Sequence, residues 1–204
     1  MRTLKKGCRG DDVKMLQCAL HLYQDGIFGQ LTEEAVKEFQ KVNGLAQDGI
    51  VGEKTWKLIL NHALFVKKSK RSINEIIVHC TATPEGRVET VDSIRSMHKK
   101  NGWSDIGYHY LIYLDGTVHE GRNIDISGAH CVGHNTHSIG VCYVGGVDAR
   151  GKEKDTRTDK QKEALVGLLK RLRTLYPNAR IYGHRNFAAK ACPSFDAKTE
   201  YRNI

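Results

Sequence analysis

An imidazole, an ammonium and a thiol fall within nine positions in GHRNFAAKACPSFD (183–196), as His184, Lys190 and Cys192. The stretch is Ala-rich and turn-like, too poor in large apolar side chains to be building core. One His and one Cys cannot complete a metal site, so a further donor must come from elsewhere. His79 is the best placed. It stands near the C-terminal end of the apolar run INEIIVHCTA, where an ionisable ring is costly unless satisfied. His184 ends ARIYGH in the same way. If the two strands are neighbours, both imidazoles project from one sheet edge, and the loop 185–191 returns Cys192 to close a His2Cys triangle. Zinc fits such a set, with a fourth position left to water. Strand alternation puts Cys80 on the opposite face from His79, as core. In an extended segment Lys190 points to the same side as Cys192, which sets an ammonium beside the metal.

Spacing leaves a rival. GAHCVGHNTHSIG carries His130, His134 and His137, close enough to form a cluster of their own or to line a polar cleft. His21, His62 and His98 fall on expected helices and read as surface or core.

The elements that must position these groups begin at residue 73. INEIIVHCTA reads as a buried central strand, and TVDSIRSMHKKNG (90–102) as a helix with Val91, Ile94 and Met97 at helical spacing. YHYLIYLDGTVHEGR (109–122) reads as a hairpin about Asp115-Gly116, and SIGVCYVGG (138–146) as a strand. TDKQKEALVGLLKRLRTLYP opens on a Thr158–Gln161 capping box and runs to Pro177; ARIYGH is the last strand. The expected class is α/β, a mixed central sheet flanked by helices.

Residues 1–64 have a different character. DGIFGQLTEEAV (25–36) returns as DGIVGEKTWKLI (48–59), offset by 23 residues. Each copy has an Asp-Gly turn, a second glycine (Gly29, Gly52) and a Thr (Thr32, Thr55) where a helix N-cap belongs. With an earlier helix from Asp11, this predicts a small all-α domain of three helices. The alternating oxygen ligands of an EF-hand are missing. FVKKSKRS (65–72) reads as a basic, solvated linker, so the expected organisation is 1–64, linker 65–72, and 73–204.

The chain is basic, with 32 Lys/Arg against 23 Asp/Glu and a pI of about 9.3, and residues 1–64 are nearly neutral at 9 against 8. The excess positive charge therefore sits in the larger segment and favours a polyanionic partner: nucleic acid, anionic lipid or an anionic wall polymer. The basic residues are scattered rather than striped and no zinc-finger spacing is present, which argues against nucleic acid. No segment approaches the length of a membrane span, and the start lacks the apolar core of a signal peptide. The protein is expected to be made in the cytoplasm, without membrane insertion, and to act elsewhere only after release. Six irregularly spaced cysteines then read as thiols rather than a disulfide framework.

Two resemblances sharpen this. Gly7, Gly10, Asp12, Val13, Leu16 and Gln17, followed by the two Asp-Gly echoes, resemble a peptidoglycan-binding module. IIVHCTAT (76–83), GWSDIGYHYLI (102–112), DGTVHEGR (115–122), GAHCVGHNTHSIGVCYVGG (128–146) and GHRNFAAKACPSFD resemble the zinc-dependent N-acetylmuramoyl-L-alanine amidases, a fold family that includes peptidoglycan recognition proteins. The resemblance implies zinc on His79, His184 and Cys192, and Tyr108 and Lys190 as catalytic partners. It implies that His130 and Asn135 line the substrate groove, and that His134 and His137 do not bind the zinc. Asn186 and Ser194 depart from the commonest pattern, where Asp and Gly are frequent; both touch turn geometry. The implied function is cell-wall lysis by zinc-activated hydrolysis of the muramoyl–alanine amide of peptidoglycan, by an endolysin-like chain expected to be monomeric. The alternative is a non-catalytic recognition protein on the same fold, and the thiol of Cys192 favours the enzyme.

Overall fold

The computed structural model describes residues 1–20, 22–61 and 66–204, so His21 and His62 lie outside the described residues. The chain divides into two compact units, Met1–Phe65 and Val66–Ile204.

The first unit consists of α1 (Asp11–Ala19), α2 (Gln30–Val42) and α3 (Glu53–Asn61). Leu4, Val13, Leu16, Phe28, Val36, Phe39, Val51, Trp56 and Ile59 form its core. The 23-residue echo has a hub that the motif itself does not show. In the first copy the Gln17 amide nitrogen donates to Asp25 Oδ1 (2.7 Å), Ile27 O and Thr32 Oγ1, while its oxygen accepts from Gly26 N (2.8 Å). In the second, Gln40 makes the same bonds to Asp48, Ile50, Thr55 and Gly49. Each buried amide is thereby satisfied, as burial demands. Thr32 and Thr55 are not N-caps. Gly29 precedes α2 without a side-chain cap, and both threonines lie inside their helices with hydroxyls turned to the clasp.

The second unit is a sheet flanked by helices. Its strands are β1 (Glu75–Cys80), β3 (Tyr110–Ile112), β4 (Val118–Glu120), β5 (Ser138–Tyr143) and β7 (Arg180–Gly183), in the order β4-β3-β5-β1-β7. A short parallel pair, β2 (Thr83–Pro84) with β6 (Gly146–Val147), stands apart. β1 is an interior strand, parallel to both neighbours, with His79 opposite Cys142 and Val78 opposite Gly183. Its residues from Ile76 to Cys80 are all buried, which is why it reads as an unbroken apolar run. β3 and β4 form the expected hairpin. Helix α4 (Val91–Lys100) packs Ile94 against Ile106, Leu111, Cys142 and Val144. Helix α5 (Asp159–Leu175) starts at the expected box, with Thr158 accepting from Gln161 N and Gln161 accepting from Thr158 N. The Gln161 amide also donates to Ile112 O and Val144 O, tying the helix start to two strand ends. A short α6 (Ala197–Glu200) completes the unit.

Residues 66–72 are not a solvated linker. Val66 and Ser69 are buried, Ser69 N donates to the Tyr176 hydroxyl (2.5 Å), and Ser69 Oγ to Ile124 O (2.8 Å). Arg71 donates to the carbonyls of Ile124, Asn135 and Ser138. The three lysines are exposed, as their charge suggests, but the guanidinium of Arg71 has carbonyls to satisfy, and Val66 and Ser69 are buried against the second unit.

Candidate metal centre and active site

Parallel pairing of β1 with β7 brings His79 and His184 to one edge of the sheet. Their rings lie 4.7 Å apart, with His184 opening a 3-10 turn just past β7. Cys192 arrives on the returning loop, its Sγ 3.7 Å from His79 Nδ1 and accepting from Cys80 N (3.3 Å). One ligand atom from each of His79, His184 and Cys192 falls within 4.8 Å of the others. The loop from 187 to 191 is a series of bends rather than an extended segment. Lys190 is exposed on it, and its charge helps to hold both imidazoles below their usual range.

The electrostatics suit a cation. Burial first, then His130, His184 and Lys190, depress His79 far below the ordinary imidazole value, so it is a neutral donor at physiological pH. Burial lowers His184 as well, with Lys190 adding. The neighbouring Cys80 thiol and burial push the Cys192 thiol up. A buried thiol becomes a thiolate when a metal ion is beside it, and two neutral imidazoles with one thiolate are the donors zinc takes.

His130 does not line a groove. It is buried behind His79, with its Nδ1 3.0 Å from His79 Nε2 and its Nε2 3.3 Å from Ser138 Oγ. Room for the ring comes from two glycines: a Cβ on Gly128 would meet His130 Cδ2 at 2.4 Å, and one on Gly140 at 2.6 Å. Asn135 is likewise a shaper of the loop, its Oδ1 accepting from His130 N (2.8 Å) and Cys131 N (2.9 Å). For His130 the reason is depth, which spacing does not give; Asn135 is only half-buried. His134 and His137 turn away from His79 and toward Glu75.

Tyr108 is brought in by Gly107, where a Cβ would sit 2.3 Å from Ala129 O. Its ring centroid is 5.1 Å from that of His79. Burial, with the nearby Cys142 adding, drives the phenol well above its usual range, so it stays protonated. Cys80 is buried as expected, yet its thiol meets Cys192 and Ser194 Oγ (3.8 Å), so it belongs to the edge of the centre. Ser194 adopts φ 69°, a left-handed conformation that favours glycine, and its hydroxyl donates to Gly146 O (2.7 Å). Asn186 Oδ1 accepts from Gly183 N (2.9 Å), holding the turn that starts at His184.

Residues 69–195, a span containing every residue of this centre, match the family model of N-acetylmuramoyl-L-alanine amidase. The chain belongs to this family. Residues 9–59 match that of the peptidoglycan binding domain, which assigns the first unit of the amidase. The amidase is 47% identical over 132 residues to an endolysin of Enterobacteria phage K11, covering 65% of this chain and 86% of that protein. Against Peptidoglycan-recognition protein SC2 of Drosophila melanogaster the identity is 32% over 135 residues, covering 62% of this chain and 71% of the relative. Among solved structures it is similar to N-acetylmuramoyl-L-alanine amidase LysC from Clostridium intestinale, with TM-score 0.56 and 27% identity over 64% of this chain and 83% of that one. The stronger likeness is to the phage enzymes, and the function is that of a phage-type peptidoglycan amidase. No helix among the described residues is long and apolar enough to cross a membrane.

Proposed function

We propose that the amidase is zinc-dependent, with His79, His184 and Cys192 as the ligands. The convergence of their donor atoms within 4.8 Å, with both rings held neutral, carries this reading. Zinc held there supplies a Lewis acid for attack of water on the lactyl carbonyl that joins muramic acid to L-alanine. His79 presents Nδ1 to the centre, because its Nε2 is engaged by His130. Tyr108, protonated throughout the working range, orients the reacting groups by hydrogen bonding and cannot serve as a base. Lys190 brings a positive charge to the oxygen that becomes anionic in the transition state, an effect worth ~2.7–4 kcal/mol where a single donor of this kind has been removed.

The chain is proposed to be made in the cytoplasm and to reach the wall after release, acting as a monomer whose first unit holds it on the polymer. The test is digestion of purified peptidoglycan with mass spectrometry of the products. The wild type is expected to expose the amino group of L-alanine. Cys192→Ala, or removal of metal by chelation, is expected to stop that release by more than a hundredfold. Undiminished release by the metal-stripped Cys192→Ala protein refutes the proposal. New reducing ends in place of free alanine would make the enzyme a glycosidase.

A further inference from the structure

Away from the cleft, the loop leading into β5 makes a second convergence of ligand-type side chains. His134 Nδ1 lies 2.8 Å, and His137 Nε2 3.3 Å, from the same carboxylate oxygen, Glu75 Oε2. One ligand atom from each of the three falls within 4.8 Å of the others. Glu75 opens β1 four residues before His79, a rise of about 13 Å along the strand, so this group is separate from the catalytic cleft.

We propose that Glu75, His134 and His137 form a second metal-binding site, for a first-row divalent ion of the zinc class. The donors are right for it: imidazoles with one carboxylate suit zinc, nickel or copper, whereas calcium and magnesium prefer all-oxygen sets. The separations are also right. Bonds of about 2.0–2.2 Å in a tetrahedron put ligand atoms roughly 3.3 Å apart, close to the 2.8 and 3.3 Å that separate the carboxylate oxygen from the two ring nitrogens. The frame is built before any ion arrives. Asn74 N and Glu75 N both donate to His137 O, so the carboxylate and one imidazole ride on joined backbone. His137 Nδ1 meets Thr136 Oγ1 at 3.2 Å, the sort of outer partner that fixes a ligating ring. His134 stacks on Phe187 at 3.9 Å between centroids. The three side chains are 16–34% exposed, so an ion can enter and keep solvent in its remaining position.

Its role is a brace rather than a reaction. Phe187 belongs to the loop that carries Lys190 and Cys192, so an ion at Glu75 fixes the ring on which that loop rests. The catalytic ion stays with His79, His184 and Cys192, and the second site stands or falls separately from it.

The test is titration of the metal-free full-length protein with Zn2+ and with Co2+, following stoichiometry, melting temperature and the cobalt spectrum. The wild type is expected to take up two ions, and Cys192→Ala to keep one and still melt higher with Zn2+. Glu75→Gln and His137→Ala should each bring the wild type down to one ion, while its thiolate-to-cobalt absorption remains. Unchanged melting of the metal-free variants shows that they are folded; should Glu75→Gln fail this, His137→Ala carries the test. A single ion in the wild type, lost in Cys192→Ala, overturns the proposal: the three groups then form a hydrogen-bonded carboxylate and nothing more. So does a second ion that survives His134→Ala and His137→Ala combined.

Discussion

His79 gets its direction from the ring behind it. With Nε2 bonded to His130 and His130 bonded in turn to Ser138, the remaining nitrogen can only face Cys192. Outer partners of this kind typically change metal affinity by about 10–100-fold. His130→Ala is therefore expected to weaken zinc by that factor, read by competition with a chromophoric chelator, and to lower activity at limiting zinc more than at saturating zinc. His109, further along the same row, answers to pH. Burial, with Arg71 and Arg122 adding, lowers it from 6.5 to about 4, and its Nδ1 accepts from Gly140 N. The unfolded chain then binds the proton more readily. This ring costs nothing above pH 6.5, and stability falls as the pH drops from 6.5 toward about 4, by about 3 kcal/mol in all. Urea midpoints of the metal-free protein across that window should show a slope to which His79, His130 and His184 also contribute, and His109→Gln should reduce it. The sequence makes His79 and His184 conspicuous because a titratable ring at the end of an apolar strand needs a reason. It hides the depth of His130, since a loop has no alternation to read, and Tyr108 stands out only through family likeness.

At the level of elements, the central sheet and its helices follow from apolar runs and capping residues, whereas the alternation of β1 does not show that the Cys80 thiol meets Cys192 at the edge of the centre. What the pattern of the first unit leaves out is what its glutamines do. Gln17 and Gln40 look like ordinary polar helix residues, because the partners that bury them lie eight to fifteen positions on. The threonines read as caps for the same reason: their true partner is not a backbone N–H but a side chain far along the chain. Gln40→Leu would leave Asp48, Gly49 N and Ile50 O without their buried partner. At about 1–3 kcal/mol for an unsatisfied buried group, it should lower the melting transition of the first unit while sparing that of the second, as calorimetry would show. In the second unit, Arg157 lies 3.3 Å from the Phe195 ring centroid and pairs with Asp155 and Glu200. Its position ties α6 and the segment after Cys192 to the body of the domain.

Across the whole molecule, the division of labour is open to test. The K11 endolysin is similar over 132 residues, 65% of this chain and 86% of its own length, a stretch far longer than the first unit. Deleting residues 1–65 is expected to reduce turbidity loss of intact walls several-fold and to leave cleavage of soluble muropeptides unchanged. Equal loss on both substrates would show instead that the first unit supports the catalytic fold. Ser69 and Arg71 also say where such a cut belongs. Starting the shortened chain at Ile73 discards the bonds to Tyr176, Ile124 and Ser138; starting at Val66 retains them. Anyone transplanting the lytic half onto a different targeting module must bring seven extra residues with it, or inherit a loosened enzyme.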